Sequence, residues 1–162
     1  MELKVIDTAK ADLRGIGDEL RLPGPGGRPP DVQNDIIRFF GKLGVIESSR
    51  AVEFGICAYQ QRPFLVERLE QHRLTRELLY AVDQDFLMPV APDVAGRDQP
   101  DLERAFALHI RRGTGVIFAP GAWHWVPYPF KGRSFALVGF ALDTPKNDMH
   151  FYDLVPPLKM RR

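Results

Sequence analysis

Two separate stretches of this chain hold the side chains from which a reactive site can be built. The first is Glu70-Gln71-His72-Arg73-Leu74-Thr75-Arg76-Glu77-Leu78-Leu79-Tyr80. On an extended strand Glu70 and His72, two positions apart, face the same side. A short turn after His72 would bring Glu77 back beside them. The second stretch begins at Gly113 and ends in Ala119-Pro120-Gly121-Ala122-Trp123-His124-Trp125. Proline fixes φ at the first corner and glycine accepts positive φ at the second, as a type II turn requires. His124 then enters the next extended segment. Imidazoles and carboxylates converging in a barrel mouth suit a divalent metal such as Zn, Mn, Fe or Ni. Without a metal, His124 or Glu77 would be the general base.

The expected catalytic set is therefore His72, Glu77 and His124, and the expected metal ligands are Glu70, His72, Glu77 and His124. Tyr80, Phe118 and Trp123 are expected to wall a substrate pocket, since small-ligand sites are mostly apolar with a few convergent polar groups. Arg62, Arg73 and Arg76 lie near the first stretch and are candidate anchors for a substrate carboxylate. His109 and His150 have no ligand set around them in sequence and read as structural or surface residues.

The elements that must position these groups read as β-strands. The 14 glycines and 14 prolines break almost every apolar run before a long helix can form. Short helices are expected only at 9–13, after Thr8 as N-cap, and at 63–68. Runs rich in β-branched and aromatic residues predict strands at 35–40, 47–59, 78–82, 85–90, 105–110, 115–118 and 134–142. Many short strands separated by turn signals imply a sandwich or barrel. Residues 22–30 and 93–99 read as surface loops, and Lys159-Met160-Arg161-Arg162 as a solvated tail.

At 162 residues the chain is long enough for one domain with a sizeable core. Lys and Arg total 22 against 21 for Asp and Glu, and this near balance gives no electrostatic case for a nucleic-acid partner. No apolar run approaches the ~20 residues needed to span a membrane, and no leader pattern opens the chain. The single cysteine, Cys57, fits a cytoplasmic location. Lying in an apolar strand-like run, it is expected to be buried and inert.

The two stretches resemble the paired motifs of the cupin superfamily. His72, Glu77 and Tyr80 match the first motif, with Glu70 in place of its first histidine. Gly113, Pro120, Gly121 and His124 match the second. Within the cupins the chain is most similar to the ureidoglycolate lyase family. Glu70-Gln71-His72 resembles its Glu-Arg-His, Gln99-Pro100-Asp101-Leu102 its Lys-Pro-Asp-Leu, and Trp123-His124 the start of its Trp-His-His-Pro. Arg104-Ala105-Phe106 and Gly17-Asp18 also match, while Ile16 and Trp125 stand where the family has a tyrosine and a second histidine. The resemblance implies an all-β fold with short helices: one cupin-like double-sheet jelly-roll barrel over residues 1–162. It also implies a small carboxylic-acid substrate, a divalent metal, a homodimer, and the splitting of ureidoglycolate into glyoxylate and urea. The alternatives are a divergent relative acting on another small hydroxy or keto acid, a non-catalytic ligand-binding cupin, and another metal-dependent cupin enzyme.

Overall fold

The computed structural model describes residues 1–161. Its strands are β1 (Glu2–Asp7), β2 (Gly17–Leu20), β3 (Val32–Gln33), β4 (Arg38–Phe39), β5 (Val52–Gln60), β6 (Leu65–Gln71) and β7 (Glu77–Ala81). They continue with β8 (Phe86–Ala91), β9 (Phe106–Ile110), β10 (Gly115–Phe118), β11 (Trp123–His124), β12 (Tyr128–Pro129), β13 (Arg133–Ala141) and β14 (His150–Arg161). One α-helical turn, α1 (Thr144–Asn147), and two 3-10 turns complete the regular structure.

Two sheets form the body. One has the order β11-β6-β14-β1-β9-β8-β12, and β11 also pairs with β8, so six of its strands close into a ring. The other has the order β2-β10-β7-β13-β5, which leaves β5 as an edge strand. Strand alternation separates two apolar clusters. Met88 and Val90 on β8, Leu79 on β7, Val116 on β10 and Val138 on β13 belong to the cluster between the sheets. Leu87 and Ala91 on β8, Leu69 on β6, Leu3 on β1 and Trp123 on β11 belong to a second cluster, contributed by the other face of the closed sheet. Each strand of a twice-covered sheet thus buries both of its faces. The six residues of β8, Phe86–Ala91, are all buried accordingly.

Most of the strands expected from sequence form, and four expectations need correction. Residues 63–68 do not make a helix: β6 occupies most of that run and pairs with both β14 and β11. Pairing on two sides outweighs the local propensity of so short a segment. Residues 9–13 yield only a 3-10 turn, Thr8–Lys10, capped by Asp7, whose carboxylate accepts the Ala9 N–H at 3.1 Å. The strand expected at 35–40 shrinks to β4, because the Asn34 side chain accepts the N–H groups of both Ile36 and Ile37 and bends the backbone into a turn. Finally, Lys159 and Arg161 are not in a solvated tail. They pair with Glu2 and Lys4 of β1, which joins the two ends of the chain in one sheet; Arg162 lies outside the described residues. The register of β14 against β6 shifts between Asp153 and Leu158. Pro156 and Pro157 fall in this interval, and neither has an N–H to give the ladder.

Gly17 illustrates how a backbone requirement supports the site. Its φ is +153°, and a Cβ there would run into the carbonyl oxygen of Ile117 on β10. Gly17 is paired with Phe118, which packs on His124. Gly17→Ala is therefore expected to cost roughly 3 kcal/mol, read as a lowered midpoint in thermal unfolding.

Candidate metal and acid–base centre

The two sheets meet at one end in four polar side chains. Glu70 lies on β6 and His72 just beyond its end. His124 lies on β11 and is paired in register with Glu70. Glu77 opens β7 in the facing sheet, directly opposite Phe118 on β10. Because Glu70 and His72 are two apart they share a face. That face is the one opposite Leu69, so it looks between the sheets. The corner at Pro120-Gly121 is tied down by the Gly121 N–H, which donates to the His72 carbonyl at 2.6 Å; Gly121 has φ of +82°. The turn that the sequence placed before His124 thus also holds the backbone of His72.

The geometry of the cluster is tight. The Oε2 of Glu77 is 2.9 Å from His124 Nε2 and 3.2 Å from His72 Nε2. Glu70 Oε1 lies 3.9 Å from His124 Nε2. The side chains of His124, His72, Glu77 and Glu70 are 2%, 5%, 8% and 13% exposed, so Glu70 is the member nearest solvent. Both imidazoles are oriented by main-chain carbonyls. His72 Nδ1 is 2.7 Å from the Asp148 oxygen and His124 Nδ1 is 3.0 Å from that of Ala122. With Nδ1–H donating in each ring, both Nε2 atoms are turned into the cluster, the usual preparation of a ligating histidine. Phe118 stacks on His124 at 4.6 Å and 10°, and Phe140 meets the His72 ring edge-on at 6.1 Å.

Burial and mutual charge set the protonation of the cluster. Burial alone would push Glu77 up, but the His124 and His72 imidazoles beside it win and hold it down at about 2. Burial works against the charged form of His72, yet Glu77 and the Asp148 carbonyl raise it to about 9. Glu70 is pushed above the usual carboxylate range by burial and by the Glu77 charge, with His124 opposing. An ionised carboxylate is thus held between two imidazoles, with a second carboxyl that readily carries a proton.

The residues fit a divalent metal. Glu70, His72 and His124 each offer one ligand atom, all within 4.8 Å of one another. Glu77 Oε2 and His124 Nε2 are buried without any hydrogen-bond partner, although they are close together. Buried polar atoms are normally satisfied, and a metal ion is one partner that would satisfy two such lone pairs at once. Glu70, His72 and His124, with Glu77 beside both rings, would suit a borderline ion of the Zn, Mn, Fe or Ni type.

The walls differ from the sequence expectation in two places. Phe118 does line the cluster. Tyr80 does not: it lies on the opposite face of β7 from Glu77, and its hydroxyl donates to the Gly113 carbonyl at 2.9 Å. Trp123 also points away, into the second apolar cluster, where its Nε1–H donates to Asp93 at 3.0 Å. Adjacent strand residues face opposite sides, so a histidine between two tryptophans must part from both of them. Trp125 packs with Trp123 in the second cluster, edge-on to Phe151. The candidate arginine anchors are engaged elsewhere. Arg62 donates to the Val126 and Pro127 carbonyls, Arg73 pairs with Asp98, and Arg76 pairs with Asp18. His109 pairs with Asp85 at 2.9 Å and His150 with Asp148 at 3.3 Å, both outside the cluster.

Sequence reasoning missed Asp148. Buried to 4% exposure, its carboxylate accepts the N–H groups of Arg73 at 3.0 Å and Leu74 at 2.8 Å, while its carbonyl orients His72. It lies 76 residues from His72 in sequence, and nothing local signals the contact. Asp148→Ala is expected to cost roughly 1–2 kcal/mol in urea unfolding, because two part-buried N–H groups lose their acceptor.

A double-sheet β-barrel enclosing histidines and carboxylates at one end is a cupin. More specifically, the chain belongs to the ureidoglycolate lyase family, whose profile matches residues 42–159. Among solved structures, the chain is similar to the oxalate decarboxylase of Lactobacillus farciminis in its formate complex: 15% identity, TM-score 0.44, 65% of this chain and 27% of that one. It is likewise similar to the oxalate decarboxylase of Bacillus subtilis at pH 4.6: 15% identity, TM-score 0.43, 67% of this chain and 26% of that one. The chain thus spans about a quarter of the length of these structures. Comparison with curated proteins gave no significant match. Among the described residues no helix is long and apolar enough to cross a membrane.

Proposed function

We propose that the chain is a carbon–nitrogen lyase that splits ureidoglycolate into glyoxylate and urea, or a divergent relative that acts on another small hydroxy or keto acid. The observation that supports this most is the buried Glu70, His72, Glu77 and His124 cluster in a chain of the ureidoglycolate lyase family. In the reaction the substrate hydroxyl loses its proton, the C–N bond breaks, its electron pair goes to nitrogen, and that nitrogen gains a proton. No water is consumed, so one group that takes the first proton and returns it completes the balance.

Glu70 fits that role. It is the most exposed of the four, and burial has raised its affinity for a proton. Glu77 is held ionised by the imidazoles beside it and offsets positive charge on His72. Phe118 and Phe140 exclude water from the rings. A divalent ion held by His72, His124 and Glu77 would supply a Lewis acid that draws the substrate oxygens and lowers the hydroxyl pKa, leaving the Glu70 carboxyl to carry the proton. Trp125, at the family's second histidine position, faces away from the cluster, and the four-residue set forms without it.

The test is release of urea and glyoxylate from ureidoglycolate by the metal-loaded protein. Turnover that is lost in His124→Ala supports the reading. No release, with glyoxylate still bound, would replace it with a ligand-binding role. One domain, a cytoplasmic location and a homodimer belong to the same reading. Phe54 and Ile56 are 63% and 62% exposed on the outer face of β5, apolar surface that a second copy would cover.

A further inference from the structure

Between Glu70 and His72, the side chain of Gln71 points the other way. It shares its face of β6 with Leu69, away from the four polar groups, and is buried to 1% exposure. A primary amide carries donors at one end and an acceptor at the other, and burying them is costly unless they are paired. One orientation pairs both ends. With its nitrogen toward the corner, Gln71 donates to the Gly121 carbonyl at 2.9 Å, and its oxygen accepts from Arg73 Nη2 at 2.9 Å and Nε at 3.2 Å. The reverse orientation would set the Gln71 oxygen against the Gly121 carbonyl and leave one bond, to Asp98 at 3.3 Å. The contacts therefore require the first orientation.

These contacts join the two segments that carry the histidines. Arg73 follows His72, and Gly121 lies just before Ala122-Trp123-His124. Gly121 is held on both sides: its N–H donates to the His72 carbonyl at 2.6 Å, and its carbonyl accepts from the Gln71 amide. The carbonyl matters most for His124. It belongs to the peptide that leads into Ala122, and the Ala122 carbonyl orients the His124 ring through Nδ1 at 3.0 Å. A glycine with φ of +82° permits the turn but does not by itself hold it, because glycine is the least restricted residue. Arg73 is tied in turn to Asp98, which fixes the outer partner of the amide.

We infer that Gln71 is a positioning residue: its buried amide clamps the Gly121 carbonyl and so fixes the direction of His124 Nε2 relative to His72 Nε2. It acts through the Pro120-Gly121 corner. Without the clamp the Ala122 carbonyl is free to rotate, and the His124 ring with it. Outer partners that orient ligating histidines in this way set metal affinity nearly as strongly as the ligands do. What the two rings hold rests on the proposed metal centre; their placement does not.

The experiment records the imidazole nitrogen NMR signals of the four histidines in the metal-free full chain, at a single pH, for the wild type, Gln71→Met and Leu3→Ala. Met keeps the length of Gln but has neither the donors nor the acceptor of the amide. Leu3 lies on β1 in the second apolar cluster, so Leu3→Ala lowers the thermal midpoint without touching the corner. Gln71→Met is expected to shift the His72 and His124 signals and leave that of His109 in place; Leu3→Ala is expected to leave all of them in place. Titration with Co(II) is then expected to show roughly 10-fold weaker binding and an altered visible spectrum in Gln71→Met, and no change in Leu3→Ala. Arg73→Met removes only the outer partner of the amide, at a side chain 38% exposed, and serves if Gln71→Met does not fold; the same two signals are expected to shift by less. Unmoved His72 and His124 signals in the variant that folds overturn the assignment, as do equal shifts in Leu3→Ala or a Co(II) affinity equal to that of a metal-binding wild type. Signals that shift as expected in a chain whose wild type binds no Co(II) overturn the metal centre and leave the clamp standing.

Discussion

His72→Ala and His124→Ala are each expected to abolish stoichiometric binding of a divalent metal, with at least a ~100-fold loss of affinity. Elemental analysis of the purified proteins, followed by titration of the metal-free forms, measures this. The prediction follows from convergence: both Nε2 atoms are turned inward by main-chain carbonyls, and His124 Nε2 faces only the carboxylates of Glu77 and Glu70. Removing either ring deletes an imidazole that no neighbour replaces. Metal affinity is also expected to rise with pH. His72 is raised to about 9 in the metal-free protein, and it must lose its proton to ligate, so affinity rises about tenfold per pH unit below that value. A wild type with no metal, and both variants equal to it in stability, would overturn the metal centre.

Glu77→Gln is expected to lower the stability of the metal-free protein by about 3–5 kcal/mol near pH 6, since it leaves charged imidazole buried without its counter-ion. It should also change the shape of the pH–stability curve. The Glu77 carboxyl is lowered from 4.5 to about 2, so its contribution is present above pH 4.5 and is lost as pH falls toward 2. His72 is raised from 6.5 to about 9, so its contribution is present below pH 6.5 and is lost as pH rises toward 9. These are two ends of one attraction and are counted once. The wild type is expected to be most stable between about pH 4.5 and 6.5, and Glu77→Gln to flatten both limbs. Denaturant unfolding at a series of pH values checks it; a variant curve parallel to the wild type would count against the pairing.

The sequence was most informative where a residue's local neighbours also set its direction. Glu70 and His72 share a face because a strand alternates, and that holds wherever the strand packs. The corner at Pro120-Gly121 and the glycine at Gly17 carry backbone demands that no side chain can hide. Where direction depended on the sheet beyond, the reading failed. Tyr80 lies only three residues from Glu77 but on the other face of β7. Trp123, next to His124, serves a different core. Cys57 sits in an apolar run, which looks the same whether the strand is central or at an edge.

The sequence by itself determined the all-β class, most of the strands, the four polar residues of the centre and the turn that leads to His124, because these follow from period, turn chemistry and residue type. Only the tertiary structure decided which partners those residues meet. It brings Glu77 from one sheet against His72 and His124 from the other, and supplies Asp148 from 76 residues away. It joins β1 to β14 and leaves β5 at a sheet edge, and so decides that Cys57, expected from sequence to be buried, is exposed. Such pairings depend on the order of strands across a sheet, a long-range choice that short-range sequence patterns do not carry.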